Sequence, residues 1–325
     1  MNPANLVNPV TPATLPQQLQ SVLSPAGTAA HTVAEISWVL FIGAALIFAA
    51  VMALLVWALR RQRKARPVHG TLWLWGGGVI FPVAVLAALM VYSLQQAPGW
   101  LATAPPNALH ISITAHVWWW EVRYQDPLTG QEVTLANELR LPVGRPVSLG
   151  LNSADVIHSF WVPALAGKRD MVPGRVNHLL VQASQAGVYR GQCAEFCGAQ
   201  HARMALHVVA SAPPEFDAWL AAQARPAAIP GNALLVQGQQ AFMAQRCNAC
   251  HTVRGVAEEG RLGPDLTHVG SRLYLAAGTL PNQHGTMARW IADTQGIKPG
   301  ARMPSSPDID AATLNALAAW LEHLK

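Results

Sequence analysis

Charge is what this 325-residue chain has least of: Asp, Glu, Lys and Arg together make up 12% of it, about half the share found in ordinary soluble domains. Cysteine is scarcer still, with four residues, and tyrosine equally so, while apolar residues reach 51%. The shortage of charge argues against a purely soluble protein and points to a membrane part. Four cysteines are too few for a disulfide-dense scaffold. A net charge of +5 could suggest nucleic acid, but Arg60, Arg61, Arg63, Lys64 and Arg66 place five positive charges in one short stretch. Residues 95–212 hold eight basic and seven acidic side chains, and residues 213–325 nine of each. No groove or stripe of positive charge is left for phosphates, so no nucleic-acid partner is expected. Nor is there a general acid–base pair, a nucleophile triad or a phosphate loop.

Long uncharged runs are present instead. Residues 36–59 and 71–94 are 24 uncharged residues each, more than the roughly 20 needed to cross the hydrocarbon core of a bilayer. Two buried core helices would be the alternative, but uncharged runs of this length are rare in soluble domains. Gly76 to Gly78 and Pro82 interrupt the second run, which bilayer helices tolerate. Trp38, Trp57, Trp73, Trp75 and Tyr92 lie near the span ends, as interfacial anchors do. The basic loop within 60–70 belongs on the cytoplasmic side. The Pro-, Ala- and Gln-rich segment 1–35, expected to be irregular, and everything after about residue 95 then lie on the opposite face. No charged start followed by an apolar core marks a signal peptide.

From about residue 106 to 212 the pattern changes to short β-branched or alternating runs divided by turn signals, among them "DPLTG" at 126–130. Strands broken every ten residues or so predict an all-β sandwich or barrel. Near its end stands "CAEFCGAQHARM", with Cys193, Cys197, His201 and Met204 on a loop between a strand ending near Gln192 and one starting near Ala205. His158 lies upstream in "SADVIHSFWVP". Thiolate, imidazole and thioether together favour copper. Two cysteines four apart could bridge two coppers, each completed by a histidine and a weak ligand. A Cys193–Cys197 disulfide would leave His201 and Met204 unexplained, and a zinc site has no use for the methionine. A copper-delivery chaperone expects a thioredoxin-like βαβ pattern that is missing here.

On these residues the middle domain resembles the copper domain of cytochrome c oxidase subunit II, together with "DVIHSFWVP" and "PGR" at 173–175; the likeness runs over roughly residues 30–212. The resemblance implies a cupredoxin-like all-β Greek-key barrel behind a two-helix hairpin. It also implies a dinuclear copper centre, CuA, with Cys193 and Cys197 bridging, His158 and His201 terminal, Met204 weak, and Glu195 contributing its backbone carbonyl. The Glu195 side chain would help bind magnesium or manganese at the contact with the catalytic subunit. Within "VWWWEVRY", Trp118 matches the position that passes electrons to copper, whereas strand alternation makes at least one of Trp118, Trp119 and Trp120 a packing residue. Two positions depart from the family: Val117 replaces a glutamine, and "RPVHGTLWLW" lacks the carboxylate found before the second span, leaving His69 as the nearby group that titrates near neutrality.

After an Ala/Pro-rich connection with one short helix comes "ALLVQGQQAFMAQRCNACHTV". Its C-x-x-C-H, Cys247, Cys250 and His251, is the signature of covalent haem c attachment with the histidine as proximal ligand. Zinc or dithiol chemistry would not explain the adjoining histidine. Met303, in the Pro/Gly-rich "KPGARMP", is the expected second axial ligand, with Met287 assigned to the core. "LGPDLTHVGSR" resembles the monohaem cytochrome c pattern in which Pro264 orients the proximal imidazole by its carbonyl. Arg272 and Trp290 are candidates for the haem propionates. A C-terminal amphipathic helix is expected to pack on the first.

The resulting expectation is a multidomain membrane protein. Residues 1–35 form an extracytoplasmic segment, 36–94 a transmembrane helical hairpin, 95–212 a cupredoxin-like CuA domain, 213–232 a flexible linker and 233–325 an all-α cytochrome c domain. Its expected role is subunit II of a haem-copper terminal oxidase in a bacterial-type plasma membrane, with both redox domains outside. The haem domain would act as a tethered donor. Partners would be the lipid bilayer, catalytic subunit I, subunit III and an upstream electron donor, soluble or membrane-bound. The small subunit of a copper-containing nitric oxide reductase, and a copper-storage or copper-delivery protein, are the alternatives.

Overall fold

The computed structural model describes residues 20–61, 69–96, 104–125, 130 and 132–325. Segment 1–19, basic residues Arg63, Lys64 and Arg66, and turn positions 126–129 lie outside the described residues. The chain divides into two compact units, Ala29–Thr103 and a larger one made of Met1–Thr28 with Ala104–Lys325.

In the smaller unit, two helices run Thr28–Arg60 and Gly70–Gln96. Both expose their apolar side chains, Leu46, Phe48, Leu59, Leu72 and Ile80 among them. Helices apolar all round and uncovered by protein have lipid as their solvent. The glycine run forms one π-helical turn, Gly76–Ile80, before the helix resumes at Phe81; such turns are a known way of absorbing a helix irregularity. The first helix begins at Thr28 rather than after 35. The polar His31 and Glu35 bound the apolar run but do not break a helix, because Ala-rich sequence carries it outward. The residues just before it are not irregular either. Ala26 N–H donates to Ala164 O (2.7 Å) and Thr28 N–H to Gln182 O (3.1 Å), and Gly27 bridges Ala183.

The larger unit opens with ten strands: β1 Leu109–His116, β2 Trp119–Gln125, β3 Glu132–Ala136, β4 Glu138–Pro142, β5 Val147–Ser153, β6 His158–Trp161, β7 Arg169–Met171, β8 Asn177–Val181, β9 Gly187–Cys193 and β10 Ala205–Ser211. They form two five-stranded sheets, β3-β2-β1-β5-β8 and β4-β10-β9-β6-β7. The pairs β1–β5 and β4–β10 are parallel and the others antiparallel. This is the cupredoxin-like barrel. Alternation sends Leu109, Ile111, Ile113 and Ala115 of β1 and Trp120, Val122 and Tyr124 of β2 into the core. A strand turns every second side chain to the same face. Trp120, wholly buried, is therefore the packing member of the tryptophan run.

The connection after β10 is not a free tether. Helix Pro213–Gln223 buries Phe216 and Leu220, and Phe216 and Trp219 pack on Tyr124 of the barrel. Arg254 of the C-terminal domain then holds the carbonyls of Gln223 and Arg225. The expected flexible linker is thus corrected: its apolar helix face finds a partner in the barrel, and a buried guanidinium fastens the end of that helix.

In the C-terminal domain, helix Ala233–Ala244 crosses helix Ala311–His323. A Cβ at Gly238 would come within 2.1 Å of Ala316 O, so the close crossing requires glycine. Asn232 and Asp310 cap the two helices through their side-chain oxygens, an arrangement favoured at helix starts. Phe242, Leu317, Trp320, Leu321 and Met287 form the core between them. Met287 is a core residue, as expected.

Candidate functional site

The register of one β-hairpin builds the first cluster. Pairing Ala205 of β10 with Gln192 of β9 makes residues 194–204 a closed loop, fastened where Cys193 N–H donates to Met204 O (2.9 Å). Phe160 of β6 pairs with Cys193, which brings His158 alongside. The side-chain distances form a chain: His158 Nδ1 to Cys193 Sγ 3.8 Å, Cys193 Sγ to Cys197 Sγ 3.8 Å, Cys197 Sγ to His201 Nδ1 3.6 Å and Cys197 Sγ to Met204 Sδ 3.9 Å. Glu195 O lies 3.2 Å from Cys193 Sγ. His158, Cys193 and Cys197 are buried with their ligand atoms within 4.8 Å of one another. The sulfurs are nearly twice a disulfide bond apart, and all four cysteines of the chain are free thiols.

The electrostatics suit a cationic guest. The thiol of Cys193 is pushed well down, chiefly by its hydrogen bond with Cys197 and further by His158, against the effect of burial. Cys197 is raised by the same neighbour and by burial. Two buried sulfurs in contact share one negative charge until a cation allows both to ionise. Asp155 Oδ1 sits 2.8 Å from His158 Nε2, and Val117 N–H donates to Asp155 Oδ2 (2.8 Å). With Nε2 held by a carboxylate, Nδ1 is the nitrogen turned to the sulfurs, the outer support that metal-binding histidines usually have. Soft sulfur with imidazole fits copper.

Trp118, at the tip of the β1–β2 hairpin, touches this loop directly. Its Nε1–H donates to Cys197 O (2.9 Å), and its ring lies so close to Gly198 that a Cβ there would sit 3.2 Å away. The Glu195 carboxylate instead faces outward, 3.6 Å from Lys168 Nζ, beside the exposed ring of Phe196. Among the described residues the soft-ligand cluster is the only close metal-binding group.

The second cluster is the C-x-x-C-H turn. Cys247–Ala249 forms a 3-10 turn, and His251 N–H donates to Cys247 O (3.0 Å). His251 Nδ1 donates to Pro264 O (2.8 Å), as the cytochrome resemblance implies, which leaves Nε2 as the free lone pair. Burial lowers the His251 pKa and favours that neutral form. Gly263 leaves room for the ring, since a Cβ there would lie 2.6 Å from Cε1. Arg272 is buried and donates to Asp265 O, while its Nε has no partner among the described residues. An orphaned guanidinium N–H is a place for an anionic group such as a propionate. Met303, half-buried, packs against the core of the helical domain, as do Cys247 and Trp290. The residues present therefore fit a haem c.

Sequence reasoning missed four residues that organise these clusters. Gln295 Nε2 donates to Ala301 O and Met303 O, 2.7 Å each, and shapes the Met303 loop. Asp155 supports His158, and its place in "DVIH" is the one local signal. Buried Glu138 accepts from Leu273 N–H (2.9 Å), and His207 stacks on Tyr274 at 3.9 Å. Both join the barrel to the helical domain, a pairing no local pattern could reveal.

The family described as cytochrome c oxidase subunit II, periplasmic domain, matches residues 128–211, and the cytochrome c family matches residues 235–325. Cytochrome c oxidase subunit 2 of Alkalihalophilus pseudofirmus is 33% identical over 317 residues, covering 94% of this chain and 91% of that protein. The protein of the same name from Bacillus subtilis is 30% identical over 268 residues, covering 76% and 73%. A crystal structure of the periplasmic domain of subunit II of cytochrome oxidase from Bradyrhizobium japonicum is 32% identical, covering 37% of this chain and 96% of that one, with a TM-score of 0.34. Neither the nitric oxide reductase nor the copper-carrier alternative is favoured by these matches.

Proposed function

Since the chain belongs to the cytochrome c oxidase subunit II family and carries a cytochrome c domain, we propose that it is the electron-receiving arm of a haem-copper terminal oxidase. Electrons taken up by its C-terminal domain pass to the barrel and on to the catalytic subunit, where oxygen is reduced to water and protons are translocated. Haem c and a dinuclear copper centre, when bound, supply reversible one-electron chemistry. Cys247 and Cys250 would anchor the haem, His251 and Met303 would close its axial positions, and Arg272 would meet a propionate. Cys193 and Cys197 would bridge the coppers, with His158 and His201 terminal and Met204 and the Glu195 carbonyl as weak ligands. Pro264 keeps His251 in the tautomer that ligates through Nε2, and Asp155 does the same for Nδ1 of His158.

One observation carries this reading. The Trp118 ring lies against Gly198 of the copper loop and also against Gly300, where a Cβ would be 3.6 Å from the ring, in the loop that presents Met303. A single aromatic side chain thus touches both the copper-ligand loop and the loop leading to Met303, which supports Trp118 as the residue through which an electron would cross. Residues 36–94 would anchor the arm in a bacterial plasma membrane, with residues 95–212 and 233–325 on the extracytoplasmic face. Subunit III and an upstream donor complete the partner set. The exposed Glu195 carboxylate is suited to complete a magnesium or manganese site with the catalytic subunit.

The test is the paramagnetic spectrum of the full chain loaded with haem and copper. An unpaired electron shared by two copper nuclei, with reduction of the copper following flash reduction of the haem, is expected. A signal confined to one nucleus, or one copper per chain, overturns the reading.

A further inference from the structure

Lys298 is the most unusual cation in the larger unit. It is 3% exposed, yet no carboxylate lies within ion-pairing distance of it among the described residues. A buried ammonium is costly unless its N–H groups are met. Here all three are met by backbone carbonyls: Trp118 O at 2.8 Å, Arg203 O at 2.9 Å and Ala276 O at 3.1 Å. An ammonium has three donors and no acceptor, so the match is complete. The three oxygens come from three places, namely the tip of the β1–β2 hairpin, the last turn of the copper loop and a turn of the haem domain itself.

The contacts around Lys298 serve the same seam. Gln200 Nε2 donates to Pro299 O (2.8 Å), the Arg203 guanidinium donates to Ile297 O, and Ala205 N–H donates to Ala277 O (3.0 Å). Residues 297–299, which lead into Met303, are therefore hydrogen-bonded to Gln200 and Arg203 of the copper loop. A lysine that merely filled space could be replaced by an apolar side chain without leaving three carbonyls unpaired. Carbonyl dipoles converging on one point are a site for a single cation, and the chain supplies that cation from the opposite domain.

We propose that Lys298 is a positioning residue for electron transfer between the two domains, its ammonium fixing the Met303 loop on the Trp118 ring by holding the hairpin tip, the copper loop and the haem domain together. The inference rests on the relay reading of the two clusters. It also means that the haem domain is seated rather than swinging, so the internal step waits on no diffusional search.

The test uses the assembled, fully loaded oxidase with Lys298→Met and Lys298→Gln, single electrons being delivered to the haem by a flash-activated flavin. Without the latch the Met303 loop is free to move away from the Trp118 ring, and electron transfer slows as its partners separate. Lys298→Met should slow the internal step several-fold and make it depend on solvent viscosity, and Lys298→Gln, which keeps two N–H groups, should slow it less. Reduction of the haem by the flavin, and the optical and paramagnetic spectra of both centres, should stay as in the natural chain; a merely structural lysine would disturb the spectra instead. An unchanged internal rate in Lys298→Met overturns the proposal while the relay stands. If the variants do not assemble, the natural chain decides: a viscosity-independent internal rate is expected, and a viscosity-dependent one means that no latch holds the domains. Absence of any haem-to-copper transfer in the natural chain sinks the relay reading itself.

Discussion

In the barrel, the candidate donors other than His158 fall within residues 193–204, and His158 comes from a strand already paired with Cys193. In the helical domain, Cys247, Cys250 and His251 are adjacent, but Met303 stands on a remote loop placed by Gln295 and by packing on the helical core. The copper cluster is thus a property of hairpin register, whereas the haem pocket is a property of helix packing. A register shift of one residue would turn every side chain to the other face, so the first geometry is nearly all-or-none. The second can drift by small repacking, and it is the one that carries extra fastening, from Pro264, Gln295 and Lys298.

The sharpest break in that contrast is Cys197→Ser. Cys197 Sγ touches Cys193, His201 and Met204, so copper retention should fall by well over the roughly 100-fold seen for supporting residues. Metal analysis and the paramagnetic signal report the loss, and an unaltered haem spectrum would show that the clusters fold independently. Next is Gly263→Ala, whose methyl would meet the His251 ring at 2.6 Å. Overpacking of that kind typically costs about 1–3 kcal/mol. It should change the haem ligation band and lower the melting point of the helical domain while the copper signal stays intact. A normal haem spectrum would mean that the ring is not held as described.

Asp155→Asn tests the outer support of the register-built site. It removes the charge beside His158 Nε2, and copper affinity should fall about 10- to 100-fold, read by competition with a chelator. No change would leave Asp155 a surface residue. The mildest effect concerns the seam between the regions. Burial, helped by Arg190, holds His207 down at about 3, against an ordinary value near 6.5. The unfolded state therefore takes up a proton that the folded state refuses. Stability is full above about pH 6.5 and is lost as pH falls toward 3, by about 2 kcal/mol at pH 5. Melting points at pH 5 and 7 should show this loss, and His207→Phe, which keeps a ring over Tyr274, should flatten it. A profile unchanged by the substitution would assign the acid loss elsewhere.

What could be read from the chain tracks the distance over which each feature is written. The two spans, the soft-ligand loop and C-x-x-C-H are patterns of consecutive residues, and the structure gathers the donors as that spacing implies. Strand alternation alone made one of the three tryptophans a packing residue, and the structure shows it to be Trp120. The helix start at Thr28 was missed because the edge of an apolar run is not the edge of a helix. The tether between the domains was misread because an Ala/Pro-rich stretch looks mobile until Phe216 and Trp219 are seen against Tyr124.

By itself, the sequence determined that this protein has two apolar segments long enough to cross a membrane, a β-rich part and a C-x-x-C-H part, and carries copper-type and haem-type ligands, because residue chemistry and short-range periodicity are local. Only the tertiary structure decided that Trp118 touches both Gly198 and Gly300 and that Lys298, Glu138 and His207 join the two domains. Lys298 and Trp118 are 180 positions apart in the chain, and Glu138 and Leu273 are 135 apart. Whether a buried cation, carboxylate or imidazole is tolerable depends on which backbone groups or rings the folded chain brings to meet it.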